Sequence, residues 1–212
     1  MLNRLSELDT CTVSDALDSL GLAGATIGVR PLWKCPKIVG RAMTVRAGPK
    51  IDAAPTDHLN TPAIEAGGPE TVLVIANDGR TDVSCWGDIV SNASIAKGIR
   101  GVVIDGACRD IDASEQLGFP VYGRAVVPVS ARNRIIQVDY NKPINFSSVS
   151  VSPGDYVIAD GSGIVFVPAP RISEVLDIAD RIAKKQNAMV AAVRAGRSVV
   201  EVMHDREFEK AV

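Results

Sequence analysis

Histidine and cysteine, the residues of most zinc and nucleophile sites, are scarce in this chain of 212 residues. The two histidines, His58 and His204, lie far apart in the sequence, which argues against a histidine-based zinc site or a Ser-His triad. None of the four cysteines belongs to a CxxC pair, so the sequence predicts buried, reduced thiols rather than a zinc or redox motif.

Long apolar runs and a strong excess of one charge are missing as well. The net charge is −2 and there is no polybasic run, so the chain lacks the electrostatic footprint of a nucleic-acid-binding protein. Apolar runs such as TVLVIA (71–76) are too short to cross a membrane, and residues 1–17 lack the apolar core of a signal peptide. We therefore expect a soluble, cytoplasmic protein that binds neither nucleic acid nor a membrane.

Hydrophobic residues are plentiful, at 46% of the chain, which is enough to bury a sizeable core. Residues 71–76 are typical of a buried strand, residues 87–98 of a helix that stops at Gly98, and residues 101–105 of a second buried strand. A strand, a helix and a strand in this order form a right-handed crossover between parallel neighbours. The pattern therefore predicts an α/β fold.

Three charged residues lie where this crossover meets one edge of the predicted sheet. Asp88 is at the helix start, and Arg109 and Asp110 come just past the second strand. Both places are at the carboxyl edge, where open α/β sheets bind ligands. The free amides at a helix start favour an anion, so the helix start beside Asp88 is a candidate anion site.

These groups suit metal-assisted chemistry on an oxo acid. Magnesium commonly binds one or two protein carboxylates and keeps several waters, which makes Asp110 the candidate metal ligand. Asp88 would hold a metal-bound water, and the planar fork of Arg109 suits a carboxylate or a developing enolate oxygen. A 2-oxo acid fits this set, because its carboxylate meets the amides while its oxygens chelate a metal that stabilises an enolate. Taken singly, each residue is better explained by a structural turn or a surface ion pair, whereas the three together at one sheet edge favour a functional site. The residues alone indicate an anion site and leave the metal open.

The rest of the chain predicts further helices and short strands around this unit. The expected elements are a helix over 12–20 with Thr12 as its N-cap, a strand over 42–47, a helical turn over 111–118, a strand over 119–127, three short strands between 144 and 168, and an amphipathic helix over 171–195. A single domain over residues 1–212, with residues 170–212 as a C-terminal helical extension, is the simplest organisation.

Several motifs resemble those of a known family. The D-x20-R-D spacing within GDIV…GVVIDGACRD (87–110) is accompanied by TCTVSDAL (10–17), GRAMTVR (40–46), LGFPVYGR (117–124) and VSPGDYVIADGSGIVFVP (151–168). These stretches resemble the class II pyruvate aldolases typified by 4-hydroxy-4-methyl-2-oxoglutarate aldolase, which share a fold with RraA-type regulators of ribonuclease activity. The resemblance implies an RraA-like β/β/α core of the phosphohistidine swivelling-domain type. It also implies a homo-oligomer, a trimer or dimer of trimers, with its active site between subunits.

The resemblance further implies a role for each site residue. Asp110 would coordinate Mg²⁺ or Mn²⁺, Arg109 would contact the pyruvyl group and steady its enolate, and Asp88 would orient a metal-bound water. The pyruvate carboxylate would bind the backbone amides of Gly87, Asp88, Ile89 and Val90. The implied reaction is the retro-aldol cleavage of a 4-hydroxy-2-oxo diacid to pyruvate and a second 2-oxo acid, with oxaloacetate decarboxylation through the same enolate.

Two other functions are open at this point. A non-catalytic regulator that binds a ribonuclease shares the fold, although the complete set of Asp88, Arg109 and Asp110 favours an enzyme. A related lyase that acts on a different oxo acid would keep the same three residues and change only the rest of the pocket.

Two arginines and one lysine elsewhere in the chain are further candidates for contact with the substrate or for covalent chemistry. Arg46 and Arg124 are candidates for binding a distal substrate carboxylate, with surface ion pairs as the alternative for both. Lys97 lies one helix away from the site, and nothing in the sequence indicates the desolvated environment that a Schiff-base lysine requires.

Overall fold

The structure is a computed structural model that describes residues 1–51 and 57–204. Its helices are α1 (Leu2–Glu7), α2 (Thr10–Ser19), α3 (Thr61–Ala66), α4 (Asp88–Ala96), α5 (Ile111–Gln116), α6 (Ile172–Arg194) and α7 (Val199–Val202), with a 3₁₀ turn at Ala169–Arg171. Its strands are β1 (Arg30–Pro31), β2 (Ile38–Pro49), β3 (Thr71–Ser84), β4 (Gly101–Cys108), β5 (Val121–Gly123), β6 (Ala125–Val126), β7 (Ile135–Tyr140), β8 (Ile144–Phe146), β9 (Val149–Val151), β10 (Tyr156–Asp160) and β11 (Gly163–Val167).

In the described part of the chain, nine strands form one mixed sheet. Its order is β1-β5-β4-β3-β2-β10-β11, with β6 beside β4 and β7 beside β2. Strands β2, β3, β4 and β5 are parallel, whereas β10 runs antiparallel to both β2 and β11. Ala25, in the segment that leads into β1, bridges Val165 of β11, so the two ends of the sheet approach each other and nearly close a barrel. Strands β8 and β9 form a separate hairpin.

The predicted crossover is confirmed, because β3, α4 and β4 follow one another and the two strands pair in parallel. Both faces of the first half of β3, residues 72–77, are buried, as is usual for a parallel strand covered on two sides. Leu73 and Ile75 pack into the core beneath α3 and α4, while Val72 and Val74 pack on the opposite face beside Tyr122. The α/β class is therefore correct, with an RraA-like arrangement of the sheet.

The C-terminal helix covers one side of the sheet, as its amphipathic pattern predicts. Val175 and Leu176 of α6 are fully buried in a cluster with Val13 and Leu17 of α2. The helix ends before Gly196, whose φ of +85° is a backbone conformation that favours glycine. Among the described residues, no helix combines the length and apolar character that crossing a bilayer requires.

Two predicted boundaries are wrong. The N-cap of α2 is Asp9 rather than Thr12: the Asp9 carboxylate accepts a hydrogen bond from the Thr12 amide at 2.7 Å, so the helix starts two residues earlier. The strand predicted over 119–127 is two short strands, β5 and β6, separated at Arg124. The break occurs where the Arg124 side chain turns to Asp105 of β4.

Two further strands differ from the sequence-based expectation. β3 continues to Ser84, beyond the predicted 71–76, because its pairing with β4 persists past register shifts near Ala76 and Arg80, although the apolar run ends at Ala76. The stretch from 144 to 168 holds four strands rather than three, because a turn with Ser147 at φ +55° folds 144–151 into the β8–β9 hairpin.

Candidate functional site

The three charged residues singled out in the sequence meet at the carboxyl ends of β3 and β4. Asp88 is the first residue of α4, and Arg109 and Asp110 lie between β4 and α5. The Arg109 amide donates to the Trp86 carbonyl at 3.0 Å, which ties the two segments together where the strands end. The predicted geometry is therefore present: both segments reach one edge of a parallel sheet.

The Asp110 carboxylate points toward the start of α4. Its Oδ2 lies 3.2 Å from Nε of Arg109 and accepts a hydrogen bond from the Asp88 amide at 3.3 Å. The Asp110 backbone is left-handed, with φ +57°, a conformation that aspartate tolerates better than most residues. The side chain remains about one-third exposed, so the carboxylate is within reach of solvent and ligands.

Gly87 makes room for this arrangement. A Cβ at position 87 would lie 2.7 Å from Oδ2 of Asp110 and 3.3 Å from Nε of Arg109. The φ of Gly87 is −163°, which any residue can adopt, so the requirement for glycine is steric rather than conformational. The glycine that precedes α4 therefore brings the backbone up against the charged pair.

The amides at the start of α4 already carry protein carboxylates. Oδ1 of Asp88 accepts from the Ile89 amide at 2.8 Å, while the Asp88 amide donates to Asp110. Of the four predicted amides, from Gly87, Asp88, Ile89 and Val90, two thus bind internal anions. That the amides at this helix start bind a substrate anion stays a prediction.

A cavity of about 280 Å³ lies beside these residues. Gly87, Asp88, Ile89, Val90 and Arg109 all line it, whereas Asp110 is not among its lining residues. Its volume is at the small end of the range for ligand pockets, which suits a small metabolite better than a polymer.

Two loops distant in sequence complete the cavity wall. One carries His58, Asn60 and Thr61, and the other carries Ser130 and Arg132. Local sequence patterns do not single out these residues, because the fold alone brings their loops to the edge of β3 and β4. The sequence argues against His58 as a zinc ligand or triad residue. The structure places it in the wall of the cavity that Asp88 and Arg109 also line.

Asn60 contributes an unpaired polar atom to this wall. Its Nδ2 donates to the Cys85 carbonyl at 2.8 Å, and its backbone amide donates to Gln137 Oε1 at 3.0 Å. Its Oδ1 is buried and has no hydrogen-bond partner in the described residues. A buried acceptor without a donor is costly, so a ligand or water that donates a hydrogen bond at this point would be favoured.

Apolar packing holds the base of the site rigid. Trp86 is 2% exposed, stacks on Phe119 with ring centroids 5.9 Å apart, and donates from Nε1 to the Ser91 hydroxyl at 2.8 Å.

Burial also raises the pKa of the Cys85 and Cys108 thiols to about 12. All four cysteines are free, but the expectation of buried thiols holds only for Cys85 and Cys108, because Cys11 is exposed and Cys35 is half-buried.

The other cations considered from sequence lie elsewhere. Arg124 pairs with the buried Asp105 and donates to the Ser147 hydroxyl, and Arg46 lines a separate cavity with Lys142. Lys97 pairs with Glu65 at 2.6 Å on the exposed side of α4. None of these three lines the cavity beside Arg109 in the described residues.

Comparisons with known proteins give a consistent picture. A sequence model of the RraA-like family, described as Aldolase/RraA, matches residues 10–166. A protein of Halalkalibacterium halodurans named "Putative 4-hydroxy-4-methyl-2-oxoglutarate aldolase" is 32% identical, over 85% of this chain and 82% of that protein. Protein DlpA of Legionella pneumophila is 27% identical over 99% of the chain, which spans only 34% of the length of DlpA.

Solved structures share the fold. A crystal structure from Pseudomonas syringae pv. tomato superposes with a TM-score of 0.85 at 32% identity, covering 95% of each chain. Streptomyces coelicolor RraAS2, described as an unusual member of the RNase ES inhibitor RraA protein family, superposes with a TM-score of 0.82 at 26% identity, covering 92% of this chain and 97% of RraAS2.

Proposed function

We propose that this chain, which belongs to the RraA-like family, is a carbon–carbon lyase of the pyruvate aldolase type. Its substrate would be 4-hydroxy-4-methyl-2-oxoglutarate or a related 4-hydroxy-2-oxo diacid, cleaved to pyruvate and a second 2-oxo acid. The observation that carries the proposal is the meeting of Asp88, Arg109 and Asp110 beside a small cavity. The name of the relative from Halalkalibacterium halodurans supports the same reaction type.

The donor groups fit a divalent metal that is held largely by water and substrate oxygens. Within residues 1–51 and 57–204, no three His, Cys, Asp or Glu side chains are grouped as a metal site. Magnesium needs no such group, since it commonly takes one or two carboxylates and retains waters. Asp110 would hold the ion, with Asp88 as the partner of a bound water. Bound there, Mg²⁺ or Mn²⁺ would supply Lewis-acid stabilisation of negative charge on the 2-oxo oxygen.

The chain's own groups would bind and orient the reacting end of the substrate. The guanidinium of Arg109 would donate to the oxygen of the pyruvyl group that gains charge. The amides at the start of α4 would donate to the substrate carboxylate. Because Asp88 Oδ1 accepts a hydrogen bond from the Ile89 amide, an incoming carboxylate would replace it there and leave Asp88 to orient a water.

The bond changes in the cleavage balance without an added reagent. A base takes the proton of the C4 hydroxyl, and the O–H electrons form the new C=O bond as the C3–C4 bond breaks. The C3–C4 electrons pass to the pyruvate enolate, which Arg109 steadies, and protonation at C3 releases pyruvate. Oxaloacetate loses carbon dioxide through the same enolate, so decarboxylation is the expected second activity.

A non-catalytic regulator of ribonuclease is the second candidate, favoured by the likeness to RraAS2. It would have no need for a carboxylate and a guanidinium arranged around a helix start with a cavity beside them. The enzyme is therefore the better explanation of this geometry, and a lyase for another oxo acid would differ only in the rest of the cavity.

The deciding experiment measures pyruvate release coupled to lactate dehydrogenase. The substrates are 4-hydroxy-4-methyl-2-oxoglutarate and oxaloacetate, each with Mg²⁺, with Mn²⁺ and with EDTA. Turnover is expected with either metal and is expected to be lost with EDTA. Arg109→Lys should lower kcat/KM by about 100-fold, because lysine keeps the charge but lacks the planar fork.

Matched variants distinguish the loss of the proposed metal ligand from the loss of any nearby negative charge. Asp110→Asn should abolish metal-dependent turnover while keeping the left-handed backbone, which asparagine also tolerates. Asp112→Asn, an exposed substitution two residues along the chain, should leave turnover unchanged. Full activity of the Asp110→Asn protein, or equal activity with EDTA, would contradict the proposal.

A further inference from the structure

A diacid substrate needs a second cation in the cavity, since an unpaired carboxylate is expensive to remove from water. Two arginines line the cavity in the described residues, Arg109 and Arg132. Arg109 lies at the sheet edge with Asp88 and Asp110, where the 2-oxo end of the substrate would bind. Arg132 comes from a different part of the chain, the segment between β6 and β7.

The Arg132 backbone is held in a defined turn. Its amide donates to the Ser130 hydroxyl at 3.1 Å, and the Ala131 carbonyl accepts from the amides of Arg134 at 2.9 Å and Ile135 at 3.1 Å. Ser130 and Ala131 line the same cavity. These bonds fix the Arg132 backbone at the cavity wall, while its side chain is exposed to solvent.

The Arg132 guanidinium has no carboxylate partner in residues 1–51 and 57–204. This sets it apart from Arg109 and Arg124, which lie against Asp110 and Asp105 respectively. An uncompensated guanidinium at the wall of a small cavity is suited to a carboxylate, which it can bind with two parallel N–H donors.

We propose that Arg132 binds the carboxylate remote from the 2-oxo group and makes the site selective for 4-hydroxy-2-oxo diacids over monoacids. This inference rests on the proposed lyase function. It assigns the distal contact to a residue that the sequence does not single out. The two arginines considered from sequence, Arg46 and Arg124, are placed elsewhere.

The test compares a diacid with a monoacid that lacks the remote carboxylate. 4-Hydroxy-4-methyl-2-oxoglutarate and 4-hydroxy-2-oxopentanoate are offered with Mg²⁺ to wild type, Arg132→Ala and Arg132→Lys. Arg132→Ala is expected to raise KM for the diacid by about 10- to 100-fold, the effect of losing a charge-assisted hydrogen bond, with kcat little changed. For the monoacid, kcat/KM should stay within about twofold because no contact is lost. Arg132→Lys should recover part of the diacid KM.

Two controls make the outcome unambiguous. Arg181→Ala removes an exposed arginine of α6 that does not line the cavity, and it should leave both substrates unaffected. Deuterium exchange into the methyl group of pyruvate, followed by NMR with Mg²⁺, requires the enolate but no remote carboxylate. It should therefore proceed equally in wild type and Arg132→Ala.

The possible results separate this inference from the proposed function. Wild type without exchange or turnover would overturn the lyase function and this inference with it. Normal exchange, combined with an Arg132→Ala protein that keeps its diacid KM or loses both substrates equally, would overturn the role of Arg132 alone.

Discussion

At the scale of single residues, the position of the Asp110 carboxylate depends on the absence of a Cβ atom at Gly87. Gly87→Ala would place a Cβ 2.7 Å from Oδ2 of Asp110, closer than real Cβ contacts, so the carboxylate or the start of α4 must move. A displacement of about 1 Å at a reacting centre can lower activity by roughly 100-fold. We therefore expect a loss of kcat/KM of about this size in the pyruvate-release assay, with little change in thermal stability.

Gly68→Ala is the matched control for this substitution. A Cβ at position 68 would meet nothing within 4 Å, so activity and stability should both stay near wild type. A Gly87→Ala protein as active as Gly68→Ala would show that the close contact with Asp110 is unimportant.

The buried thiols of Cys85 and Cys108 give a prediction about pH. Burial raises their pKa from an ordinary value of 9.0 to about 12, so the folded protein holds these protons where the unfolded chain loses them. Below about pH 9 both states are protonated and burial contributes its full stability. As pH rises from about 9 to 12, the unfolded state is increasingly favoured, so the free energy of unfolding should fall.

Thiol titration with a chromogenic disulfide checks the same two residues at neutral pH. The exposed Cys11 should react quickly, and Cys85 and Cys108 should react only after unfolding. Rapid reaction of more than two thiols in the native protein would contradict the described burial.

Sequence reasoning located some site residues and missed others for a physical reason. Asp88, Arg109 and Asp110 belong to a strand–helix–strand unit, whose local pattern fixes which end of each strand they occupy. His58 and Arg132 reach the cavity only through the pairing of distant strands and the paths of two loops. Neither hydrophobic periodicity nor motif spacing in the sequence predicts that His58 and Arg132 lie at the same cavity.

At the scale of the elements, predictions were most accurate where one hydrophobic pattern ran without interruption. The amphipathic helix over 171–195 was predicted to within one residue at each end, because its apolar residues recur at helical spacing, with those up to Ile182 buried, and Gly196 marks its end. β3 is longer than predicted because its apolar run ends at Ala76 while its pairing with β4 continues, and the strand predicted over 119–127 is interrupted at Arg124, whose side chain pairs with Asp105. Pairing between strands, rather than the local sequence pattern, therefore set the bounds of these strands.

The anchoring of α6 can be tested at Leu176. This side chain is fully buried in the cluster that joins α6 to α2 and the sheet, so Leu176→Ala should lower the free energy of unfolding by about 2–5 kcal/mol. Lys184→Ala changes an exposed residue of the same helix and should alter it by no more than about 0.5 kcal/mol. Urea denaturation measures both. A loss below about 1 kcal/mol at Leu176 would mean that α6 is not part of the cooperative core.

At the scale of the whole molecule, the sheet nearly closes on itself and leaves one side for α6. The near closure buries both faces of the central strands, which fixes where β3 and β4 end and hence where the site lies. The far half of α6 and the adjoining α7 are different, because they expose apolar side chains. We call Val190, Val193, Val200 and Met203 the C-terminal apolar patch, and each of them is at least 40% exposed.

This C-terminal apolar patch is our candidate contact surface for the homo-oligomer that the family resemblance implies, because apolar side chains exposed on one helix end can be buried between subunits. We predict a native mass of three or six times the 22.4 kDa chain, measured by native mass spectrometry. Replacing Val190 and Val193 together by glutamate should shift the mass toward the monomer, since charges would be buried without partners. Lys184→Glu, a charge change on an exposed polar position of the same helix, should leave the mass unchanged. If neighbouring subunits complete the active site, the dissociated protein should also lose turnover, and a monomer with full turnover would contradict a shared site.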